Sequence, residues 1–215
     1  MPARTIGRYR LEERLGSGGM GEVFAALDVE SGKRVALKVL PPAVAADEAV
    51  RERFRREARA VAKLRHPGIA RLYEFGEAEE AGSAGKTLYL AMELVRGETL
   101  QTRYSLAPPG HDEFVDLATQ LAAALQAAHD AGVIHRDLKP ANVRIDAAGR
   151  TKILDFGLAK IEGEGTKGAG TTARGRIVGT TPYLAPELFQ GRGAGPSSDL
   201  FSLGVLLYQT LSGRL

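Results

Sequence analysis

The sequence predicts an α+β chain of two lobes, a small antiparallel β-rich lobe with one key helix followed by a mainly helical lobe. Two observations carry this. Between residues 9 and 95 most apolar runs are short and alternate with a period of two, as half-buried strands do. From residue 111 the apolar residues fall at helical spacing instead. Residues 96 to 98, just past Val95, mark the junction, which gives an N-lobe over 9–95 and a C-lobe over 96–215.

The elements follow in order. YRLEERLG, EVFAALDV and RVALKVL read as three strands, with Ser31-Gly32 turning between the second and third and Pro41-Pro42 ending the third. A helix comes next: Asp47 can cap it, Phe54, Ala58, Val61 and Ala62 share one face, and His66-Pro67-Gly68 stops it. IARLYEF and TLYLAMELV read as two more strands around the charged loop EAEEAGSAGK. In the second lobe Phe114, Leu117, Ala118, Leu121, Leu125 and Ala128 form a helical stripe that Gly132 closes. Short strands are expected at VIH, VRI and TKIL, a Gly- and Thr-rich loop over residues 161 to 181, and a buried helix at LFSLGVLLYQTL, which is apolar nearly all round.

Composition narrows the function classes. The chain has 215 residues, 44% of them hydrophobic and 26% charged, with a net charge of +3. That excess is too small to argue for a nucleic-acid partner, and much of it sits in the Arg-rich run 51 to 66, which reads as a solvated helix face. No apolar run is long enough to span a membrane, and the N-terminal stretch lacks an apolar leader. Cysteine is absent, which removes disulfides and thiolate metal sites and suits a cytoplasmic setting.

Two features carry chemistry in the first lobe. Gly16-Ser17-Gly18-Gly19-Met20-Gly21 fits G-x-G-x-x-G. It leads into a strand rather than a helix and lacks the Gly-Lys-Ser/Thr of a P-loop, so it suits a flap over ATP phosphates, although an ordinary tight hairpin has the same pattern. Lys38 stands alone on an apolar strand and needs an anionic partner, because an isolated buried charge is costly. Glu57 in the following helix is one candidate, while the neighbouring arginines could equally hold it at the surface.

In the second lobe His135-Arg136-Asp137-Leu138-Lys139-Pro140-Ala141-Asn142 matches H-R-D-L-x-x-x-N without a gap. Asp155-Phe156-Gly157 and Ala185-Pro186-Glu187 follow. Their joint occurrence, in order and after the Gly loop and V-A-x-K, is a far stronger signal than any one of them. With LGSGGMGEVF, HRDLKPAN and GTTPYLAPE, the chain from about Tyr9 to Leu215 resembles a Hanks-type (eukaryotic-like) bacterial serine/threonine protein kinase, and so a bilobal protein-kinase-like fold.

The resemblance implies roles. ATP would be bound by Leu15, Gly16, Ser17, Gly18, Gly19, Met20, Gly21, Glu22, Val23, Ala36, Lys38, Glu57, Met92, Glu93 and Val95, with Lys38 on the α- and β-phosphates, Glu57 paired to it, and Met92 to Val95 forming the hinge beside adenine. Asp137 would receive or orient the substrate hydroxyl, Lys139 would meet the γ-phosphate, Thr180 would sit near Asp137, and Asn142 and Asp155 would hold Mg²⁺, with Mn²⁺ able to stand in. His135 would be structural, stacked with Phe156, and Asp199 would anchor the catalytic-loop backbone. Arg136 marks kinases whose loop is ordered by phosphorylation. Thr171 or Thr172 is the expected autophosphorylation site, with Arg53, Arg136 and Lys160 as receivers. Partners would be protein substrates and a second kinase for trans-autophosphorylation, with any membrane anchor lying beyond this chain.

The resemblance also exposes two departures. The family continues with more helices after the apolar one, so the catalytic domain is expected to be cut short at its C-terminus. That would leave an uncovered patch and Glu187 without its usual basic partner, with a weakly active ATP-binding scaffold as the alternative function. Arg144 stands where the family places an apolar residue under adenine. Its stem could cover the base while the guanidinium reaches solvent or stacks, or nucleotide binding could be impaired.

Overall fold

The computed structural model describes residues 4–18, 21–41, 48–79, 86–156 and 181–214. The expectations for Gly19, Met20, Asp47, Gly157, Lys160, Thr171, Thr172 and Thr180 lie outside the described residues. The chain divides into two compact units, Met1–Lys63 with Ala70–Val95, and Leu64–Ile69 with Arg96–Leu215.

The first unit is an antiparallel sheet of β1 (Thr5–Ile6), β2 (Tyr9–Gly18), β3 (Gly21–Asp28), β4 (Arg34–Val39), β5 (Leu72–Glu79) and β6 (Lys86–Glu93), in the order β1-β2-β3-β4-β6-β5, with helix α1 (Glu48–Val61). The strands alternate as their sequences do. One face buries Ile6, Tyr9, Phe24, Ala26, Val35, Leu37, Val39, Tyr89 and Ala91 as a single cluster. Directly paired residues share a face, so Val23, Lys38 and Leu90 form one row on the opposite side, and Ala25, Ala36 and Met92 the next. The phenol of Tyr89 donates to Glu74 Oε1 at 2.6 Å and that of Tyr9 to Glu74 Oε2 at 3.1 Å. Burial pushes the Tyr9 phenol up to about 12.

Helix α1 buries Phe54, Ala58 and Val61, and Phe54 meets Phe75 of β5 edge to face with ring centroids 6.2 Å apart. Phe75 pairs with Leu90, and Leu90 with Lys38, so the helix covers the Lys38 side of the sheet. The sheet differs from expectation at β5. IARLYEF begins strand pairing at Leu72, after which the ladder is irregular, while Ile69 bridges to Ile153 in the second unit.

The second unit contains β7 (Glu98–Thr99), α2 (Leu100–Arg103), α3 (His111–Asp130), β8 (Val143–Ile145), β9 (Thr151–Ile153), α4 (Pro186–Phe189) and α5 (Pro196–Ser212), with β7, β8 and β9 forming a small sheet. Helix α3 buries Leu117, Leu121, Ala124, Leu125 and Ala128, and Gly132 follows it with φ +73°. Its stripe therefore runs as the spacing required, except that Phe114 and Ala118 are only half-buried.

Two expectations are corrected here. VIH is not a strand, because its backbone donors turn elsewhere than to a neighbouring strand: the Val133 N–H donates to the Ala128 carbonyl at 2.9 Å and the His135 N–H to Asp199 Oδ2 at 2.8 Å. Helix α5 is not buried all round. Its buried residues are Ser198, Asp199, Ser202, Leu203, Leu206 and Thr210, while Leu200, Phe201, Tyr208 and Leu211 are exposed. The buried polar groups have partners: the Ser202 hydroxyl donates to the Tyr183 carbonyl at 2.7 Å and the Thr210 hydroxyl to the Leu206 carbonyl at 2.8 Å. On the outer face Leu200, Phe201, Val205 and Tyr208 meet Pro182 in an open hollow of about 420 Å³.

Candidate catalytic loop and nucleotide-binding residues

The loop between α3 and β8 is shaped by one buried carboxylate. Asp199, in the first turn of α5, is 1% exposed. Its Oδ1 accepts from the Arg136 N–H at 2.9 Å, and its Oδ2 accepts from the His135 N–H at 2.8 Å and lies 2.7 Å from His129 Nε2. Three donors on one carboxylate satisfy an ion that would be costly to bury bare. They also hold Arg136 at φ +70°, a conformation that costs a non-glycine residue about 1–2 kcal/mol. The expected anchoring by Asp199 is present; the third partner, His129, was missed. Its only sequence signal is a histidine in the last turn of α3, one helical turn after Leu125.

His135 is fully buried, and burial pushes its imidazole down from the usual range. Its hydrogen bonds fix the tautomer. Nε2 lies 2.8 Å from the Leu154 carbonyl and must carry the proton, while Nδ1 accepts from the Asp137 N–H at 3.2 Å. The ring meets Phe156 edge to face with centroids 4.7 Å apart. A neutral imidazole thus braces the backbone on both sides of the cluster.

That bracing presents Asp137, Lys139 and Asn142 together. Lys139 Nζ lies 2.7 Å from Asp137 Oδ2. The Asn142 amide nitrogen donates to the Asp137 carbonyl at 2.8 Å and to Asp137 Oδ2 at 3.1 Å, which leaves its amide oxygen directed elsewhere. A turn of 3₁₀ helix, Pro140–Asn142, sets the spacing, and the Leu154 N–H donates to the Asn142 carbonyl at 2.8 Å. Asp155 follows with φ +56°. Asn142 and Asp155 are thereby one residue away from a direct backbone contact.

Gln120 on α3 secures the same region from behind and was also missed. Its amide oxygen accepts from the Thr151 N–H at 2.8 Å and the Thr151 hydroxyl at 3.1 Å. Its amide nitrogen donates to Asp116 Oδ2 at 2.8 Å and to the Gly149 carbonyl at 3.0 Å. All four hydrogen-bonding positions of the amide are used, and Thr151 opens the strand that leads to Asp155.

Arg144 lies between buried Val143 and Ile145, on the opposite face of β8. Its guanidinium lies at the exposed edge of the sheet. Nη1 donates to the Gly97 carbonyl at 2.5 Å. Glu187 likewise finds a partner close by: its Oε1 accepts from the Ser198 hydroxyl at 2.6 Å, and that bond, ahead of the charge of Arg192, holds its carboxyl below the usual range.

In the first unit, Lys38 is the only lysine or arginine among the buried polar residues described. Val23, Ala36 and Met92 lie on its face of the sheet, and Glu57 falls between Phe54 and Val61 on the helix side that covers this face. Glu93 and Val95 are half-buried, and the Glu93 N–H donates to the Arg71 carbonyl at 2.8 Å. In the glycine-rich hairpin Leu15, Gly16 and Ser17 are exposed, and Glu22 pairs with Arg14 at 3.2 Å. Gly18 and Gly21 are register partners in the β2–β3 ladder. Gly21 has φ +107°, and a Cβ there would lie 1.9 Å from the Val39 carbonyl oxygen, so the fold itself demands glycine. At Gly16 a Cβ would meet nothing within 4 Å.

Comparison with known proteins agrees with this arrangement. The family model described as "Protein kinase domain" matches residues 9–215. The serine/threonine-protein kinase PknA of Mycobacterium tuberculosis is 45% identical over 214 residues, which cover 97% of this chain and 47% of PknA. The serine/threonine-protein kinase pkn2 of Myxococcus xanthus is 42% identical over 212 residues, covering 97% of this chain and 25% of pkn2. The chain thus spans about half the length of PknA and less of pkn2. Among solved structures, the kinase domain of Mycobacterium tuberculosis PknI superposes with a TM-score of 0.73 at 31% identity, covering 98% of this chain and 76% of that one. With a family model matching nearly its whole length and the bilobal fold to go with it, the chain belongs to the protein kinase family, in its Hanks-type bacterial serine/threonine branch.

Proposed function

We propose that this chain is an ATP-dependent protein serine/threonine kinase domain spanning residues 9–215, with an N-lobe over 9–95 and a C-lobe over 96–215. The observation that carries the reading is the cluster of Asp137, Lys139 and Asn142 on a loop whose backbone is pinned by Asp199. Phosphoryl transfer asks mainly for positioning and charge neutralisation, and this cluster supplies both.

Asp137 Oδ2 is occupied by Lys139 and Asn142, so the remaining carboxylate oxygen is the one to accept a hydrogen bond from a substrate serine or threonine hydroxyl. Lys139, already 2.7 Å from that carboxylate, would meet the γ-phosphate as the hydroxyl is oriented. Thr180 would support the same hydroxyl. Lys38 would hold the α- and β-phosphates with Glu57 as its partner, and Leu15 to Val23 would cover the phosphates. The open space at Gly16 supports this, since packing gives no reason for a glycine there. Val23, Ala36, Met92, Glu93 and Val95 would contact the base.

The residues also fit Mg²⁺. Asn142 turns its amide nitrogen to Asp137, which leaves an oxygen for a cation, and Asp155 is tethered next to it through Leu154. Two protein oxygens suit a hard ion that takes its other ligands from water and phosphate, and Mn²⁺ accepts the same set. When bound, the ion would neutralise charge on the β- and γ-phosphates.

The same proposal makes Thr171 or Thr172 the site of autophosphorylation, with Arg136, Arg53 and Lys160 receiving the phosphate and a second copy acting in trans. It places the domain on the cytoplasmic side, where ATP is held. Transfer of γ-phosphate to a serine/threonine peptide, abolished by Asp137→Asn, tests the activity, and removal of such a base should cost about 10²–10⁴-fold in rate. Stabilisation by Mg-ATP without transfer would instead make the chain a nucleotide-binding scaffold. Mass spectrometry finding phosphate only at Thr166, or none in residues 157–180, would rule out the proposed modification site.

A further inference from the structure

We infer that Arg144 is a positioning residue for the nucleotide, acting as a clamp on the backbone that follows Val95. This rests on the reading of the chain as an ATP-dependent kinase. The observations concern β7 and β8. Glu98 pairs with Ile145 and Thr99 with Arg144. Just before this ladder Gly97 has φ +111°, and a Cβ there would lie 2.3 Å from the Ile145 carbonyl oxygen and 3.1 Å from the Asp146 Cα. The two backbones approach as closely as glycine permits. From β8, Arg144 Nη1 reaches back and donates to the Gly97 carbonyl at 2.5 Å. Gly97 is therefore held both by close backbone approach and by a charge-assisted hydrogen bond.

The electrostatics argue that the arginine is there for this bond. Arg144 pairs directly with Lys152 across β8 and β9. Like charges at opposed positions repel, so an apolar residue would suit the ladder better. What offsets the repulsion is the carbonyl dipole of Gly97, met by a donor from a planar guanidinium. The clamp sits at a position of leverage. Gly97 lies two residues beyond Val95, the last of the residues proposed to contact the base, and Arg144 lies two residues beyond Asn142, a proposed metal ligand. Fixing Gly97 limits the conformations available to the 94–97 backbone before the nucleotide arrives, which lowers the ordering cost of binding. Arg144 is thus a compensated substitution of the family's apolar residue rather than a defect.

The test uses the whole chain and four proteins: wild type, Arg144→Leu, Arg144→Met and Arg144→Lys. Methionine keeps an apolar stem without a donor; lysine keeps one donor and the charge. ATP dissociation constants are read by calorimetry, which needs no turnover, together with KM and kcat for transfer to a peptide. The leucine and methionine variants should bind ATP about five- to ten-fold more weakly, which corresponds to the net worth of about one hydrogen bond. Their KM for peptide and their kcat at saturating ATP should stay within about two-fold of wild type, and lysine should recover most of the affinity. The inference is overturned if methionine binds ATP like wild type, which would leave only a role for the stem. It is equally overturned if lysine fails as badly as methionine, or if every variant loses apo-protein melting temperature together with both kinetic constants, as a purely structural residue would. Wild-type protein that binds ATP without transferring phosphate would refute the kinase reading while leaving the affinity series to decide the clamp.

Discussion

Asp199→Asn is the substitution by which the loop architecture can be tested most sharply. The side chain is isosteric, so packing is preserved and only the hydrogen-bonding character changes. The native carboxylate accepts from the N–H groups of His135 and Arg136, at 2.8 and 2.9 Å, and lies 2.7 Å from His129 Nε2. An asparagine offers one acceptor oxygen and an NH₂ group. If the oxygen stays with His135 and His129, the NH₂ faces the Arg136 N–H, donor against donor. Losing a hydrogen bond to a charged group costs about 1.5–3 kcal/mol, and stranding a buried N–H adds about 1–3 kcal/mol. A total near 3–5 kcal/mol should lower the melting temperature by roughly 10 °C for a chain of this size. Part of that cost can be escaped if Arg136 leaves its φ of +70°, which relieves about 1–2 kcal/mol of strain. Asp137 is the next residue, so the escape moves the proposed base. Thermal unfolding and phosphate transfer, measured on the same preparations, should show lowered stability and a kcat reduced about ten-fold or more, with ATP affinity little changed. A variant with wild-type melting temperature and turnover would refute the view that this carboxylate holds the loop.

Three further outcomes are expected. Gln120→Ala leaves the Thr151 N–H without its acceptor and should destabilise the chain by about 1–3 kcal/mol in urea titration; no measurable loss would show that water replaces the amide. Gly21→Ala places a Cβ against the Val39 carbonyl at a φ that side chains rarely adopt, and should cost at least about 2 kcal/mol of stability, whereas Gly16→Ala should be nearly silent in melting and show its effect only with ATP present. For His135 the folded-state pKa lies below the unfolded value of about 6.5, because burial disfavours the imidazolium. The unfolded chain therefore binds the extra proton first, so stability is full above about pH 6.5 and falls as pH drops below it, by at most about 1.4 kcal/mol per pH unit from this one group. Melting temperatures between pH 5 and 8 should show this component weakened in His135→Gln, and an identical pH profile in the two proteins would contradict it.

Much of the architecture could be read from local pattern because local pattern is what dictates it. Strands β3 and β4 form where the sequence alternates, with Phe24, Ala26, Val35, Leu37 and Val39 in one buried cluster, and the stripe from Leu117 to Ala128 on α3 packs as its spacing demands. The motif residues Asp137, Lys139 and Asn142 lie within six positions of one another, so a single turn of 3₁₀ helix suffices to cluster them. Where local pattern misled, a distant partner was responsible. VIH has the composition of a strand, but its Val133 N–H closes back on α3 and its His135 N–H is taken by a carboxylate 64 residues further along. The sequence of α5 reads as uniformly apolar, yet its buried stripe includes Ser198, Asp199, Ser202 and Thr210, each with a specific acceptor or donor, while four of its large apolar side chains face outward.

By itself the amino-acid sequence determined the two-lobed α+β plan, the family, and which residues are the candidates for phosphoryl transfer, since periodicity and contiguous motifs are short-range properties. The tertiary structure alone decided what else holds those residues in place: His129 beside Asp199 beneath the loop, Gln120 behind β9, and Gly97 as the partner of Arg144. These pairings join positions from 31 to 70 residues apart. A hydrogen bond depends on where two groups meet in space, and no spacing rule along the chain records such a meeting until the elements have packed.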